Sequence, residues 1–355
     1  MTFSKNIRII IAVAMSVAAA VSCKKDNSDE EVLPSLGGQL RFEMESYAFE
    51  NESITVTPSG VSHPEGRGFG YYWTVSSVTE QNDTTKTESD PVTATGEYTF
   101  TTPDSLGTFT VSCTAFASGY YSTSSSRYVT TVNVRESVID TTLGYAGSFS
   151  YFTDPRDNKI YRTVKVGDTE WFSENLAYAG TADAPTGLPY DNASAMTDIF
   201  GLYYTWSEAV SACPDGWRLP DADDWMALAN TYVKSGDEMF TDPYGDFAGI
   251  TGALMVDAKF NSEDNPMWEY WPDVKITNES GLSVLPCGFA NITVTPDGKA
   301  GYFDTAYRYA AFWTGDENPD ENDQAYIRYI YWDAPVMQLS STPKESFATT
   351  VRCIK

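Results

Sequence analysis

The stretch Ala212–Trp225, ACPDGWRLPDADDW, decides how the larger part of this chain folds. Pro220 ends whatever precedes it, and Asp221 is a strong N-cap because its carboxylate can accept the free backbone N–H groups of the next turn. Asp223 and Asp224 add negative charge at the positive end of the helix dipole. Trp225, Leu228, Ala229 and Tyr232 recur at i, i+3, i+4 and i+7, one apolar face of an amphipathic helix. Lys234 and Gly236 are expected to close it, as a cation and a C-terminal glycine. Upstream, the run from Trp206 to Val210 reads as a shorter helix that stops at the turn Cys213-Pro214-Asp215-Gly216. Two helices are thus joined by a cysteine-bearing turn and a short extended Trp217-Arg218-Leu219.

Residues 201–225, GLYYTWSEAVSACPDGWRLPDADDW, resemble the signature of the Fibrobacter succinogenes major paralogous domain family. Three further stretches agree in order. Residues 157–167 and the following Glu170-Trp171-Phe172-Ser173-Glu174-Asn175-Leu176 are similar to the family's opening hairpin. Leu285-Pro286-Cys287-Gly288-Phe289 resembles a later strand with Cys in place of Ala. Phe312-Trp313-Thr314 and the terminal Val351-Arg352-Cys353-Ile354-Lys355 match the closing strands. The resemblance covers residues 151–355 and implies an α+β, C-type-lectin-like domain. It also implies that Cys213 and Cys353 are disulfide partners closing the domain's ends, and that Trp171, Trp206, Trp217, Trp225 and Trp313 are core. It carries no catalytic residue. The formylglycine-generating enzymes have a similar Arg-Leu-Pro stretch, but their chemistry needs a pair of cysteines. A Cys213–Cys353 bridge leaves only Cys287 in this domain.

The first 22 residues read as a secretion signal, with Lys5 and Arg8 before an apolar run too short and Ala-rich to span a bilayer. Ala20-Val21-Ser22-Cys23 resembles a bacterial lipobox, which would make Cys23 the lipidated N-terminus. Residues 23–35 form a polar tether too hydrophilic to fold. Its acidic run resembles the export signals of Bacteroidota surface lipoproteins. The expected address is therefore the outer membrane, lipid-anchored and facing the cell exterior. The chain carries 49 acidic and 23 basic residues, a net charge of −26. Loss of residues 1–22 removes two of the basic residues and none of the acidic ones, leaving −28. Such a surface repels nucleic acid and anionic lipid, so membrane contact is expected only through the anchor.

Residues 36–137 read as short alternating strands broken by turns, for example Ser53-Ile54-Thr55-Val56-Thr57 and the Tyr71-Tyr72-Trp73 strand. Many short strands around a central Trp point to an all-β sandwich. The Tyr-Tyr-Trp strand together with residues 107–115 resembles a PKD-like, immunoglobulin-like module, in such proteins a spacer. Cys113, mid-strand, is expected as a buried thiol. Residues 138–150 read as a linker, and 180–196, 237–246, 264–277 and 315–324 as long loops able to carry binding surface.

The chain has one histidine, His63, in a predicted exposed turn. Histidine-dependent nucleophilic hydrolysis and histidine-ligated metals are therefore excluded from the C-terminal domain. No phosphate loop, dinucleotide fingerprint or zinc-protease motif occurs. The chain is expected not to be an enzyme. Two constellations could bind. In residues 267–273, Trp268, Tyr270, Trp271 and Asp273 supply rings for sugar C–H faces and a carboxylate for hydroxyls. Asp304, Tyr307 and Arg308 could converge on the same surface; the alternative is an ordinary core strand beside a charged edge. In residues 316–323, Asp316, Asp320 and Asp323 could hold calcium; the alternative is a solvated acidic turn. The reading is a non-catalytic lipoprotein that binds a glycan or glycoprotein through its C-terminal domain. The alternative is an adhesin or a structural part of a cell-surface protein assembly.

Overall fold

The computed structural model describes residues 32–77, 86–88, 96–133, 136–268, 274–295 and 298–355. Period-two alternation in the first third yields strands β1 (Gly37–Arg41), β2 (Tyr47–Phe49), β3 (Ser53–Val56), β4 (Ser59–Ser62), β5 (Gly70–Ser77), β6 (Lys86–Glu88), β7 (Tyr98–Thr101), β8 (Gly107–Phe116) and β9 (Thr123–Val132). Five of them form one sheet in the order β2-β9-β8-β5-β6, with β2 parallel to β9. β3 pairs with β7, and β1 with β4. On β8 the residues Phe109, Val111, Cys113 and Ala115 turn inward, while hydroxyls on the other face pair across to β9: Ser112 with Ser126 and Thr114 with Ser124, both at 2.8 Å. That split is what alternation on a half-buried strand demands. Trp73 lies directly opposite Cys113, both fully buried, and Phe42 meets the indole edge-on at 5.0 Å. Burial pushes the Cys113 thiol up to about 12.

His63 is not an exposed turn residue. It is buried, edge-on to Tyr120 at 4.6 Å, and its Nδ1 accepts the Glu65 N–H at 3.1 Å. The turn folds the imidazole back over an aromatic neighbour, covering apolar ring surface that a protruding side chain would leave wet.

The next segment is not a free linker. β10 (Val138–Ile139) pairs with the strand Lys259–Phe260, and Asn261 N donates to Ser137 O at 2.7 Å. β11 (Ser150–Thr153), β12 (Ile160–Val166) and β13 (Thr169–Phe172) form an antiparallel meander. Gly167, at φ +60 in the tight β12–β13 turn, adopts a conformation open to a residue without Cβ.

Four short helices follow: α1 (Thr197–Phe200), α2 (Trp206–Ala212), α3 (Ala222–Thr231) and α4 (Thr251–Leu254). Thr205 and Glu208 form a capping box on α2, and Asp221 and Asp224 another on α3. α3 stops at Thr231, before Lys234 and Gly236, which lie in a following turn. Asn230 exchanges two hydrogen bonds with the Phe240 backbone, at 3.0 and 2.7 Å, and draws the chain back across the helix end.

Beside short two-stranded pairs within residues 180–203, the larger unit has two further sheets of three or more strands. One has four strands in the order Phe247–Ala248, Val336–Pro343, Gln324–Tyr331, Tyr309–Glu317; the other has three, Gly298–Asp304, Phe289–Thr295, Phe347–Ala348. The C-terminal residues thread between β13 and the extended Trp217-Arg218-Leu219: Phe172 N donates to Cys353 O at 2.9 Å, and Arg218 pairs antiparallel with Ile354. Cys213 and Cys353 are joined by a disulfide at the end of α2. Trp171 and Trp225, 4.9 Å apart, and Phe312, 5.5 Å from Trp225, form the centre of the adjoining core. Each such ring contributes about 2–3 kcal/mol by leaving water.

Residues 180–196 are less of an open loop than expected. Ala193, Ala195 and Met196 are buried and pack with Val132 and Tyr47 of the first sheet. The protein is thus β-rich and multidomain, with its two parts in direct contact. No helix among the described residues is long and apolar enough to cross a membrane.

Candidate functional site

The residues expected to form an aromatic platform do not form one. Trp268 is 1 % exposed and its indole N–H donates to Val284 O at 3.1 Å, within the core around Trp171 and Trp225. Tyr270, Trp271 and Asp273 lie outside the described residues. Asp304 and Arg308 flank a tight turn in which Thr305 and Tyr307 have φ of +57 and +71. Asp304 Oδ1 caps Thr305 N at 2.7 Å, and Tyr307 packs toward Phe260 and Tyr47. The turn shares no surface with the buried Trp268 ring.

The acidic run is built as a braced turn and not as a cation cage. Asp316 spends Oδ2 on Ala222 N at 2.7 Å, at the start of α3. Asp320 N donates to Asn318 Oδ1, and the backbone carbonyl of Asp323 accepts from Lys344 N. Lys344 Nζ supplies the positive charge itself, at 2.7 Å from both Glu317 Oε2 and Asn322 O. Among the described residues no group of three or more His, Cys, Asp or Glu is placed to hold a metal ion. Cys23 lies outside the described residues.

The structure instead presents a cleft of about 330 Å³ between β12, residues 173–177 after β13, α1 and residues 283–285, with Val138 and Thr141 at one side. Its floor is Arg352, which is 2 % exposed. Arg352 Nε donates to Asn175 Oδ1 at 2.7 Å, and Nη1 donates to Leu282 O at 2.8 Å and Phe172 O at 3.1 Å. Those bonds leave Nη2 with no partner among the described residues. Asn175 is fixed in turn, its Nδ2 donating to Phe200 O at 2.8 Å. Gly201, at φ +74, lets α1 approach: a Cβ there would lie 2.7 Å from Leu176 O. Burial pushes the Arg352 guanidinium down to about 10; Cys287 and Glu174 oppose that shift and the charge on Arg162 adds to it. The group remains a cation at neutral pH.

The walls are charged. Arg162 N and Nε donate to the two oxygens of Glu174, each at 2.9 Å, and Nη1 donates to Thr141 Oγ1 at 3.3 Å. Lys159 pairs with Asp198. Tyr151 stands directly across from Arg162 in the β11–β12 register, on the same face, with 69 % of its surface exposed. The cleft therefore has fixed donors at its floor, and an exposed ring stands beside Arg162, one of the residues that line it.

Residues 164–355, more than half of the chain, match the Fibrobacter succinogenes major domain. The chain belongs to that family. No curated protein matches it. The match begins inside β12, so β11 and its pairing add to the matched region. Both floor residues sit inside the Fibrobacter succinogenes major domain, Asn175 in Glu-Asn-Leu and Arg352 in Val-Arg-Cys-Ile-Lys. Sequence reading passed over them as parts of strands. A signal was available: Arg352 is a charge flanked by Val351, Cys353 and Ile354, a setting that buries it and obliges it to find partners.

Proposed function

We propose that this protein is a non-catalytic, lipid-anchored lipoprotein of the outer membrane, facing the cell exterior, which binds carbohydrate through the cleft above Arg352. The observation that carries this reading is the pairing of exposed Tyr151 with a cleft whose polar floor is held rigid. A sugar presents C–H faces that stack on a ring and hydroxyls that need fixed donors and acceptors. The volume is at the small end of the range for ligand pockets, about 300–1,000 Å³, which suits a terminal sugar more than a long chain.

The absence of turnover is supported by the carboxylates. Glu174 is engaged through both oxygens by Arg162, and Asp198 by Lys159. Glycoside hydrolysis needs one carboxyl held as an acid and another free as base or nucleophile, and paired carboxylates favour neither.

The strand order β2-β9-β8-β5-β6 with a parallel β2–β9 contact and a central buried Trp73 supports an immunoglobulin-like, PKD-like sandwich for residues 36–137. Two helices, a disulfide from the helix end to the C-terminal segment, and terminal segments held side by side support a C-type-lectin-like build for residues 151–355. The sandwich then acts as a spacer between lipid and cleft.

The test is binding of residues 24–355 to a glycan and mucin panel, repeated with Tyr151→Ala. Loss of the stacking ring should weaken each hit about 10-fold, from the roughly 1.5 kcal/mol upper range of such contacts, with thermal unfolding unchanged. Failure to bind any glycan would remove this reading and leave contact with a surface protein as the function to pursue.

A further inference from the structure

Two guanidinium groups line the cleft; Glu174 bonds to Arg162 and makes no hydrogen bond to Arg352 among the described residues. Arg352 holds Nη2 unpartnered at the floor, nine-tenths and more buried. Arg162, whose side chain is 17 % exposed, spends N, Nε and Nη1 on Glu174 and Thr141 and likewise has Nη2 without a partner among the described residues. The charges on these two arginines are near enough to repel. Lys159 adds a third cation, against only Glu174 and Asp198. The cleft is thus a locally cationic site in a chain of net charge −26. Both Nη2 atoms reach the solvent of the cleft, where each is an open, charged donor for an anion.

We infer that the saccharide taken by this cleft is acidic, and that its carboxylate is received by Nη2 of Arg162 and Nη2 of Arg352. This rests on the carbohydrate reading above. Two donors on two different arginines match the two oxygens of a carboxylate, whereas a sulfate presents three. Charge-assisted bonds of this kind are short and about twice as strong as neutral ones. An acidic protein can hold an acidic sugar in this way. At a distance the net charge repels it, a force screened beyond roughly 8–10 Å at physiological salt. Contact inside a half-buried cleft is screened far less. Affinity for the acidic sugar should therefore hold as salt is raised, unlike adsorption to an exposed basic patch.

The experiment compares residues 24–355 binding a galacturonate-terminated oligosaccharide, its methyl ester, the neutral galactose counterpart and a sulfated counterpart. The carboxylate form should bind at least about 10-fold more tightly than its ester, the equivalent of one charged hydrogen bond. Arg162→Gln should bring that ratio near one while neutral binding persists. Glu174→Gln removes a competing carboxylate and should raise it. Arg352→Lys keeps the charge but loses the fork, and loss of folding there is separated from loss of binding by the Arg162 and Glu174 variants. Equal binding of acid and ester, or tighter binding of the sulfated sugar, overturns the carboxylate assignment and leaves the carbohydrate reading standing. Binding of none of the four, together with an inert glycan panel, removes the carbohydrate reading itself.

Discussion

Arg352 Nε donates to Asn175 Oδ1 at 2.7 Å, joining residues 177 positions apart in the chain. The bond ties the C-terminal segment to the segment after β13, and Asn175 Nδ2 passes the tie on to Phe200 at the end of α1. Asn175→Ala leaves a buried guanidinium nitrogen and a backbone carbonyl without their partner. Hydrogen bonds to charged groups are worth about 1.5–3 kcal/mol, so the variant should lose about 3 kcal/mol. Urea unfolding should show a lower midpoint at unchanged slope. A midpoint within error of wild type would mean that Arg352 is held by its two carbonyl partners alone.

The Cys213–Cys353 disulfide closes 140 residues of sequence. Cross-links over loops of that order constrain the unfolded chain by about 4–5 kcal/mol in the chain-entropy picture, and measured losses run about 2–5 kcal/mol. Replacing both cysteines by Ser should lower Tm by roughly 10 °C, at about 2–4 °C per kcal/mol for a unit of this size. Cys353 is fully buried but Cys213 only partly so, and a reductant should therefore reach the bond from the Cys213 side and lower Tm without prior unfolding. A Tm unchanged after long reduction would show the bond to be shielded despite the exposure of Cys213.

Asp154 and Arg156 provide a pH signature. Burial alone would raise the Asp154 carboxyl, but the Arg156 side-chain and backbone hydrogen bonds and its charge prevail and hold it below the usual carboxylate range. The pair is bidentate, 2.9 Å from Nε to Oδ1 and 2.6 Å from Nη2 to Oδ2, and Arg156 Nη1 reaches Ala212 O at 2.8 Å. A carboxyl depressed in the folded state contributes stability that is complete above its unfolded value, about 3.9. That contribution is lost as pH falls through the lower folded value. Asp154→Asn should therefore be destabilised by about 2–3 kcal/mol at neutral pH, and the gap to wild type should close under acid. Urea midpoints of the two proteins along a pH series read this directly. A gap that stays constant into acid would assign the loss to shape and not to charge.

Legibility followed the range of the interactions involved. Asp221 was readable as an N-cap because a cap is decided within four residues, and Asp224 completes it. The place where α3 ends was not, because Asn230 ends it by bonding Phe240, ten positions on. Trp268 looked like a platform from its neighbours, yet its burial is set by Val284 and by Trp171 and Trp225, remote in sequence. Composition could not separate the run 316–323 from a calcium loop, since carboxylates serve both; Lys344, 21 residues beyond Asp323, decides it by bracing the turn. The cleft was missed because Arg162, Asn175, Gly201 and Arg352 come from four separate elements and only the fold assembles them.

The contact between the two parts of the molecule gives a last prediction. Tyr47 on β2 meets Tyr190 edge-on at 5.9 Å and packs in the same cluster as Tyr307, with burial the main force raising its phenol. Polar bonds flank the rings: Ser194 N donates to Glu45 Oε2 at 3.2 Å and Asn261 Nδ2 to Thr131 O at 3.0 Å. Small polar contacts alone leave neighbouring domains free to move and melt apart; an aromatic cluster continuous with Val132, Met196 and Phe260 couples them. Wild type should therefore unfold in a single calorimetric transition. Tyr47→Ala should remove about 2–3 kcal/mol of coupling, less than the cost of a fully buried ring, and split that transition, with the first sheet melting earlier. Two transitions already present in wild type would show that the rings touch without coupling, and that the sandwich and the cleft-bearing domain are independent.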